Sequence, residues 1–254
     1  MQYQTRRILI TVKAYPNPSR KYGETVCCAG IDVSDFRLVR LYPVPFRDLE
    51  NEQKFKKYSI IMVNCATPQD DHRAESLRID ADSISVIESI GTEKGTWKKR
   101  KEIVFKVPVK SLCQIQSEGV SLGLIKPKNI DFEWKKASLS DQKSREACYA
   151  QLSLFNKYKV PIEKTPLNFY YKFECANVNK CPGHKLPIID WELREAYRDW
   201  RAKYLDEKLL LEKIEQKWRS IADTTKRDAY FYVGNMKRFP DKFMVLGVFW
   251  PPNR

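Results

Sequence analysis

Four short runs of β-type composition crowd into the first 65 residues, and their brevity limits what the chain can become. Residues 7–15 alternate and are rich in β-branched side chains until Pro16-Asn17-Pro18-Ser19 breaks the pattern; residues 24–31, 36–42 and 58–65 follow. In the third run Phe36, Leu38, Arg40 and Tyr42 share one face, and Arg37, Val39 and Leu41 share the other. No such run can bury its face alone, so the four predict a small antiparallel sheet or barrel. Pro43-Val44-Pro45-Phe46 cannot supply consecutive ladder donors, which predicts that the chain leaves the sheet there. Residues 66–82 are polar and read as an exposed loop.

Beyond this unit the pattern changes. Residues 84–90 are β-like, residues 121–127 read as a short strand ended by Pro127, and a possible edge strand lies around 130–134. Residues 140–155 have helical character. Residues 168–175 carry alternating aromatics of strand type. After Pro187, Ile189, Leu193, Tyr197, Trp200 and Tyr204 fall on one helical face, with Asp190 as N-cap, and the period resumes at Leu211, Ile214, Trp218 and Ile221. Two helices with a break near Leu205-Asp206, or one bent helix, account for it. Residues 230–233 and 243–250 then form a hairpin through a turn at 234–240. The fold class is α+β: a β-rich N-terminal unit, residues 1–160, packed with a C-terminal strand, knuckle, two-helix and hairpin unit, residues 161–254.

Seven cysteines, an odd number, accompany an opening too short and polar for a secretory core, because residues 8–16 are interrupted by Lys13. Thiols or metal ligands are expected rather than disulfides, in a cytosolic protein, and no run reaches the roughly 20 apolar residues of a membrane span. Cys27, Cys28, Cys65, Cys113 and Cys148 sit among apolar neighbours and read as small buried hydrophobes. Cys175-x5-Cys181-Pro182-Gly183-His184 differs, since thiolates and an imidazole around a Pro-Gly turn have the chemistry of a zinc knuckle. Its fourth ligand is left to Asp190, a distant cysteine or water; with water, Asp190 or Glu192 would act as base. Two packed cysteines flanking a turn, with His184 capping the next helix, account for the same residues without Zn2+.

Lys and Arg outnumber Asp and Glu by 46 to 32, a formal charge of +14, which favours a polyanionic partner through counterion release. Basic residues interleave with aromatics at Arg37, Arg40, Tyr42, Phe46 and Arg47, at Trp97 with Lys98, Lys99, Arg100 and Lys101, and at Lys237, Arg238 and Phe239. Cations that neutralise phosphates beside rings that stack on bases are the components of a nucleic-acid surface, DNA or RNA. Asp70, Asp71, His72 and Glu75 form a second constellation, because clustered carboxylates hold Mg2+ in nucleases. Arg73 and Arg78 could instead pair with these acids as ordinary surface residues. No phosphate-binding glycine loop, dinucleotide fingerprint or serine-nucleophile elbow occurs, which argues against the common nucleotide hydrolases and esterases. A nucleic-acid-binding protein or subunit is the leading reading; a metal-dependent nuclease and a protein-interaction adaptor are the alternatives.

Four strings, Arg73-Ala74-Glu75-Ser76, Ser121-Leu122-Gly123-Leu124-Ile125-Lys126-Pro127, Cys181-Pro182-Gly183-His184 with Asp190-Trp191-Glu192, and Tyr230-Phe231-Tyr232-Val233-Gly234-Asn235, together resemble an uncharacterised bacterial protein family. The resemblance spans most of the chain and carries no activity with it. What it implies is an association with mobile-element or antiviral systems, and hence with other subunits of a ribonucleoprotein or defence complex.

Overall fold

A computed structural model describes residues 2–19, 23–138 and 165–253; the helix expected at 140–155 lies outside them. The first seven strands are β1 (Gln4–Lys13), β2 (Asn17–Ser19), β3 (Gly23–Asp32), β4 (Leu38–Val44), β5 (Ser59–Ala66), β6 (Ser76–Ile79) and β7 (Ser85–Ser89). Five of them close a circuit in which β1 pairs β3, β3 pairs β4, β4 pairs β6, β6 pairs β5, and β5 returns to β1. All these pairings are antiparallel except β4 with β6. The expected barrel is therefore present, with β2 and β7 added at its margins.

Closure explains why β1 is apolar on both faces. Ile8 and Ile10 point into the barrel with Val26, Leu41, Ile61 and Val63. Leu9 and Val12 point outward and are covered, with Ile31 and Ile60, by Leu124, Tyr232 and Phe249 from the C-terminal half. The two strands β1 and β3 lie so close that a Cβ on Gly30 would stand 2.4 Å from the Leu9 carbonyl oxygen, so only glycine fits there.

Two expectations are corrected here. Residues 66–82 are not wholly loop: β6 lies within them, and Ser76, Leu77 and Ile79 are buried. The chain also stays in the sheet through Pro43, where a register shift between Val26 and Cys28 lets Val44 pair with Val26 despite the missing donor.

The remaining elements are α1 (Lys98–Val104), β8 (Val109–Lys110), α2 (Leu112–Ser117), β9 (Leu122–Ile125), β10 (Pro127–Lys136), β11 (Leu167–Cys175), β12 (His184–Pro187), α3 (Trp191–Arg201), α4 (Glu207–Ala222), β13 (Tyr230–Met236) and β14 (Phe239–Phe249). They form one sheet in the order β14-β13-β9-β8 and another in the order β10-β11-β12. Both β9 and β10 precede residue 160, and they pair with β13 and β11 beyond it. Phe231 is fully buried between Tyr171, stacked at 4.8 Å, and Phe173, edge-on at 5.3 Å. Aromatic pairs of this kind add about 0.5–1.5 kcal/mol each beyond the area they bury. Asp190 and Asp206 cap α3 and α4 by accepting from the Glu192 and Lys208 amides, which fixes two helices rather than one. The final hairpin is longer than expected, because Met236 pairs with Phe239 and only Lys237 and Arg238 make the turn. No described helix is long and apolar enough to cross a membrane.

Candidate metal centre

Three segments bring Cys113, Cys175, Cys181 and His184 together. Cys113 stands in the first turn of α2, Cys175 ends β11, and Cys181-Pro182-Gly183 turns the chain into His184 at the start of β12. Gly183 has φ +78, in the left-handed region, and that is how so short a turn closes. The four ligand atoms all lie within 4.8 Å of one another.

Their spacing tests the chemistry. A tetrahedral ion with bonds of about 2.3 Å to sulfur and about 2.0–2.1 Å to nitrogen sets S···S at ~3.8 Å and S···N at ~3.5 Å. Cys113 Sγ lies 4.0 Å from Cys175 Sγ and 3.9 Å from Cys181 Sγ. His184 Nε2 lies 3.4 Å from Cys113 Sγ, 3.4 Å from Cys175 Sγ and 3.2 Å from Cys181 Sγ. These five of the six separations are within a few tenths of an ångström of that frame, the sixth, Cys175 Sγ to Cys181 Sγ, lies within 4.8 Å, and Cys113 Sγ is far beyond a disulfide bond of about 2.05 Å from either sulfur.

Two backbone amides are aimed at the sulfurs. The Leu112 amide opens α2 and has no acceptor within the helix; it donates to Cys175 Sγ at 3.3 Å. The Cys175 amide donates to Cys181 Sγ at the same distance. Burial, followed by the neighbouring Cys175 and Cys181 sulfurs, pushes the Cys113 thiol up to about 12. Three thiolates cannot share this volume without a cation between them, and the cluster can hold a metal. Four protein ligands complete a tetrahedral set and leave no open position for a reacting water.

The fourth ligand position falls to Cys113, which had read as a packing residue. Asp190 is occupied elsewhere: it caps α3 and accepts from Lys57 Nζ at 3.1 Å, while the same ammonium reaches Glu192 at 3.0 Å. Burial pushes the Asp190 carboxyl up to about 6, against the pull of Lys57. Burial would lower the Lys57 ammonium, but the two carboxylates outweigh it and hold it above its usual range.

The carboxylates of the acidic constellation are engaged by other groups, and among the described residues they form no metal-type cluster. Asp70 pairs with Arg78 at 3.1 Å and Asp71 with Arg73 at 2.6 Å, and His72 is exposed. Glu75 accepts from the Ser121 amide at 3.1 Å and its hydroxyl at 2.8 Å. Arg40 is likewise not at the surface. It is 4% exposed and donates to Ser121 O at 2.9 Å, Ser121 Oγ at 3.1 Å, Ser76 Oγ at 3.3 Å and Asn235 O at 3.4 Å. Arg73 reaches the same Asn235 oxygen at 2.9 Å. Three of the four strings singled out in the sequence thus meet in one polar hub that joins the barrel to the β9–β13 sheet.

The remaining basic residues are dispersed. Arg37 pairs with Asp35, Arg47 with Glu24, and Lys99 reaches Glu88 at 3.7 Å. Arg100 donates to the Ile90 carbonyl and lies 4.1 Å over the Tyr58 ring, beside Lys98 and Lys101 on α1. Lys237, Arg238 and Phe239 do stand together at the exposed tip of the last hairpin. There the Phe239 ring is 41% exposed, with the Arg238 guanidinium at 5.6 Å and the Lys242 ammonium at 5.1 Å from its centroid.

No curated protein matches the sequence significantly. A solved structure titled as a murine DNA-binding protein bound to double-stranded DNA is similar over 98% of this chain and 94% of that one, at 10% identity. Its TM-score is 0.34, a likeness that transfers neither fold nor function. Residues 4–106, ending ahead of β8, match a family described as a domain of unknown function (DUF8758). Residues 109–254, which hold all four cluster residues, match a second such domain, and the chain belongs to that family, DUF8757.

Proposed function

We propose that the protein binds nucleic acid through the tip of the β13–β14 hairpin, and that the Cys113, Cys175, Cys181 and His184 cluster holds a structural zinc ion. The observation that carries the binding reading is the exposed Phe239 ring flanked by Arg238 and Lys242, beside Lys237 at the turn. A ring available for stacking and cations available for phosphates occupy one projecting edge, in a chain of formal charge +14. The zinc reading rests on ligand softness and the tetrahedral spacing, with the ion's role being to fix α2 against β11 and β12. A closed ligand set gives it no part in catalysis, and carboxylates already held by Arg73, Arg78 and Ser121 favour no nuclease.

Fluorescence anisotropy with labelled single-stranded and duplex oligonucleotides tests this reading. Affinity should fall steeply with added salt, with a log–log slope near −0.9 for each duplex phosphate engaged. Replacing Lys237 and Arg238 together by Ala should flatten that slope by about 2. Absence of binding at low salt, or a slope unchanged in the double variant, would remove the hairpin from the proposal.

A further inference from the structure

Away from the hairpin and the metal centre, a cleft of about 790 Å³ opens between α3, α4 and the start of β10. Its wall is built from three local features. Trp200 in the last turn of α3 and Tyr204, three residues past its end, are both half-buried and meet edge-on at 6.3 Å and an interplanar angle of 71°. Lys213, Lys217 and Ser220 follow at steps of four and three along α4, which puts them on one face. Asn129 comes from an irregularity in β10, where the register shifts between Lys128 and Asp131 and Asn129 takes φ +51. Such a bulge re-aims side chains and recurs beside binding sites.

The charges are one-sided. Lys213 and Lys217 form no ion pair with a described residue, and Lys217 lies 5.6 Å over the Trp250 ring. Arg219 is held by Asp131 and Glu215, and Lys226 by Asp223 at 3.4 Å. Two ammonium groups without an ion-pair partner among the described residues, Lys217 resting on the Trp250 ring, therefore line a pocket with aromatic walls and the polar ends of Asn129, Gln216 and Ser220. A phosphate beside the ammoniums and a flat heterocycle against the rings would satisfy both, with amide and hydroxyl groups left to meet base edges.

Resting on the nucleic-acid reading above, we propose that this cleft admits an unpaired nucleotide, so that the preferred ligand is a single strand. A base must leave its stack to enter, which a duplex resists and a single strand permits.

The test compares oligothymidylate and oligouridylate of roughly 12 nucleotides, within the span of single-strand sites, with a duplex of the same length. Single strands should bind the native protein about tenfold or more tightly than duplex, a difference within the worth of one stacked base. Lys213→Gln with Lys217→Gln should remove most of that preference and change duplex affinity less than about twofold, since both lysines lie on the cleft alone. Trp200→Phe, with its fold checked by circular dichroism, should lose the quenching of tryptophan emission that single strands cause in the native protein. Equal affinity for the two strand states, or a preference unmoved by the lysine pair, overturns the cleft. If Lys237→Ala with Arg238→Ala then still weakens both ligands, the hairpin reading survives that loss. If neither strand state binds at low salt, both readings fall.

Discussion

Removing one sulfur from the metal centre isolates what the ion contributes. Cys113→Ser takes away a ligand offered by α2, a six-residue helix whose Leu112 and Ile115 are completely buried. So short a helix has little stability of its own, and its first amide is already committed to Cys175 Sγ at 3.3 Å. Zinc held about a thousandfold above its dissociation constant stabilises the folded state by roughly 4 kcal/mol. In a chain of this size each kcal/mol moves Tm by about 2–4 °C, so loss of the ion should lower it by about 8–16 °C. Elemental analysis of the native protein should find close to one zinc per chain, and Cys113→Ser far less. Thermal melts with and without a chelator should differ for the native protein and coincide for the variant. Cys65→Ser provides the control, because Cys65 is buried in the barrel and its loss should leave the zinc content unchanged. Native protein purified without metal, and melting identically with and without chelator, would refute the reasoning.

Two further outcomes follow from the hub. Arg40→Ala removes a buried guanidinium that donates to the Ser121 and Asn235 carbonyls, each of which keeps one other donor, the Asn235 amide and Arg73 respectively, and should cost roughly 2 kcal/mol in denaturant unfolding. Arg37→Ala, one residue class apart only in burial at 72% exposed, should stay within about 0.5 kcal/mol, and equal losses in the two variants would contradict the network. Asp71 is held well below the carboxylate range: burial opposes ionisation, but hydrogen bonds from Arg73 and Ser76 overcome it. Its contribution is therefore fully present above the unfolded value of about 3.9 and is lost as pH falls below it. Asp71→Asn should flatten the acid side of the stability–pH curve, and a curve parallel to the native one would show that the pair contributes nothing.

Four of the five strands of the barrel and the two helices were readable because their signal is local. Alternation in residues 7–15 and the steps of three and four after Pro187 each describe one element against whatever it packs on. The errors fall where burial is achieved by polar partners from elsewhere. Arg40 has the spacing of an exposed strand residue, yet the outside of the barrel is covered by the C-terminal half, so its guanidinium is enclosed by Ser121 and Asn235 instead of water. β6 was hidden for the same reason: Ser76 is 5% exposed but bonds to Arg40, and no hydropathy pattern marks it. Cys113 lies 62 residues from Cys175, too far for any spacing rule to join them. The usable signal was slight: Ser111 caps α2, which places Cys113 in the first turn of a short helix.

These misreadings share a location, and that location explains the architecture. The segment from Ser111 to Ile125 carries Cys113 to the metal centre at one end and Ser121 to the Arg40 hub farther along. Between them Ile115 packs onto Gly123 so closely that a Cβ there would lie 2.3 Å from Ile115 Cδ1, so α2 is seated directly on β9. β9 then pairs with β13, whose Asn235 accepts from Arg40 and Arg73 and steadies the hairpin turn by donating to the Pro240 carbonyl at 2.6 Å. A metal ion held by the cluster would brace α2, and with it the connection into β9 whose Ser121 the Arg40 guanidinium holds. The base of the hairpin that carries Lys237, Arg238 and Phe239 is thereby tied to the barrel through the Arg40 and Arg73 guanidiniums.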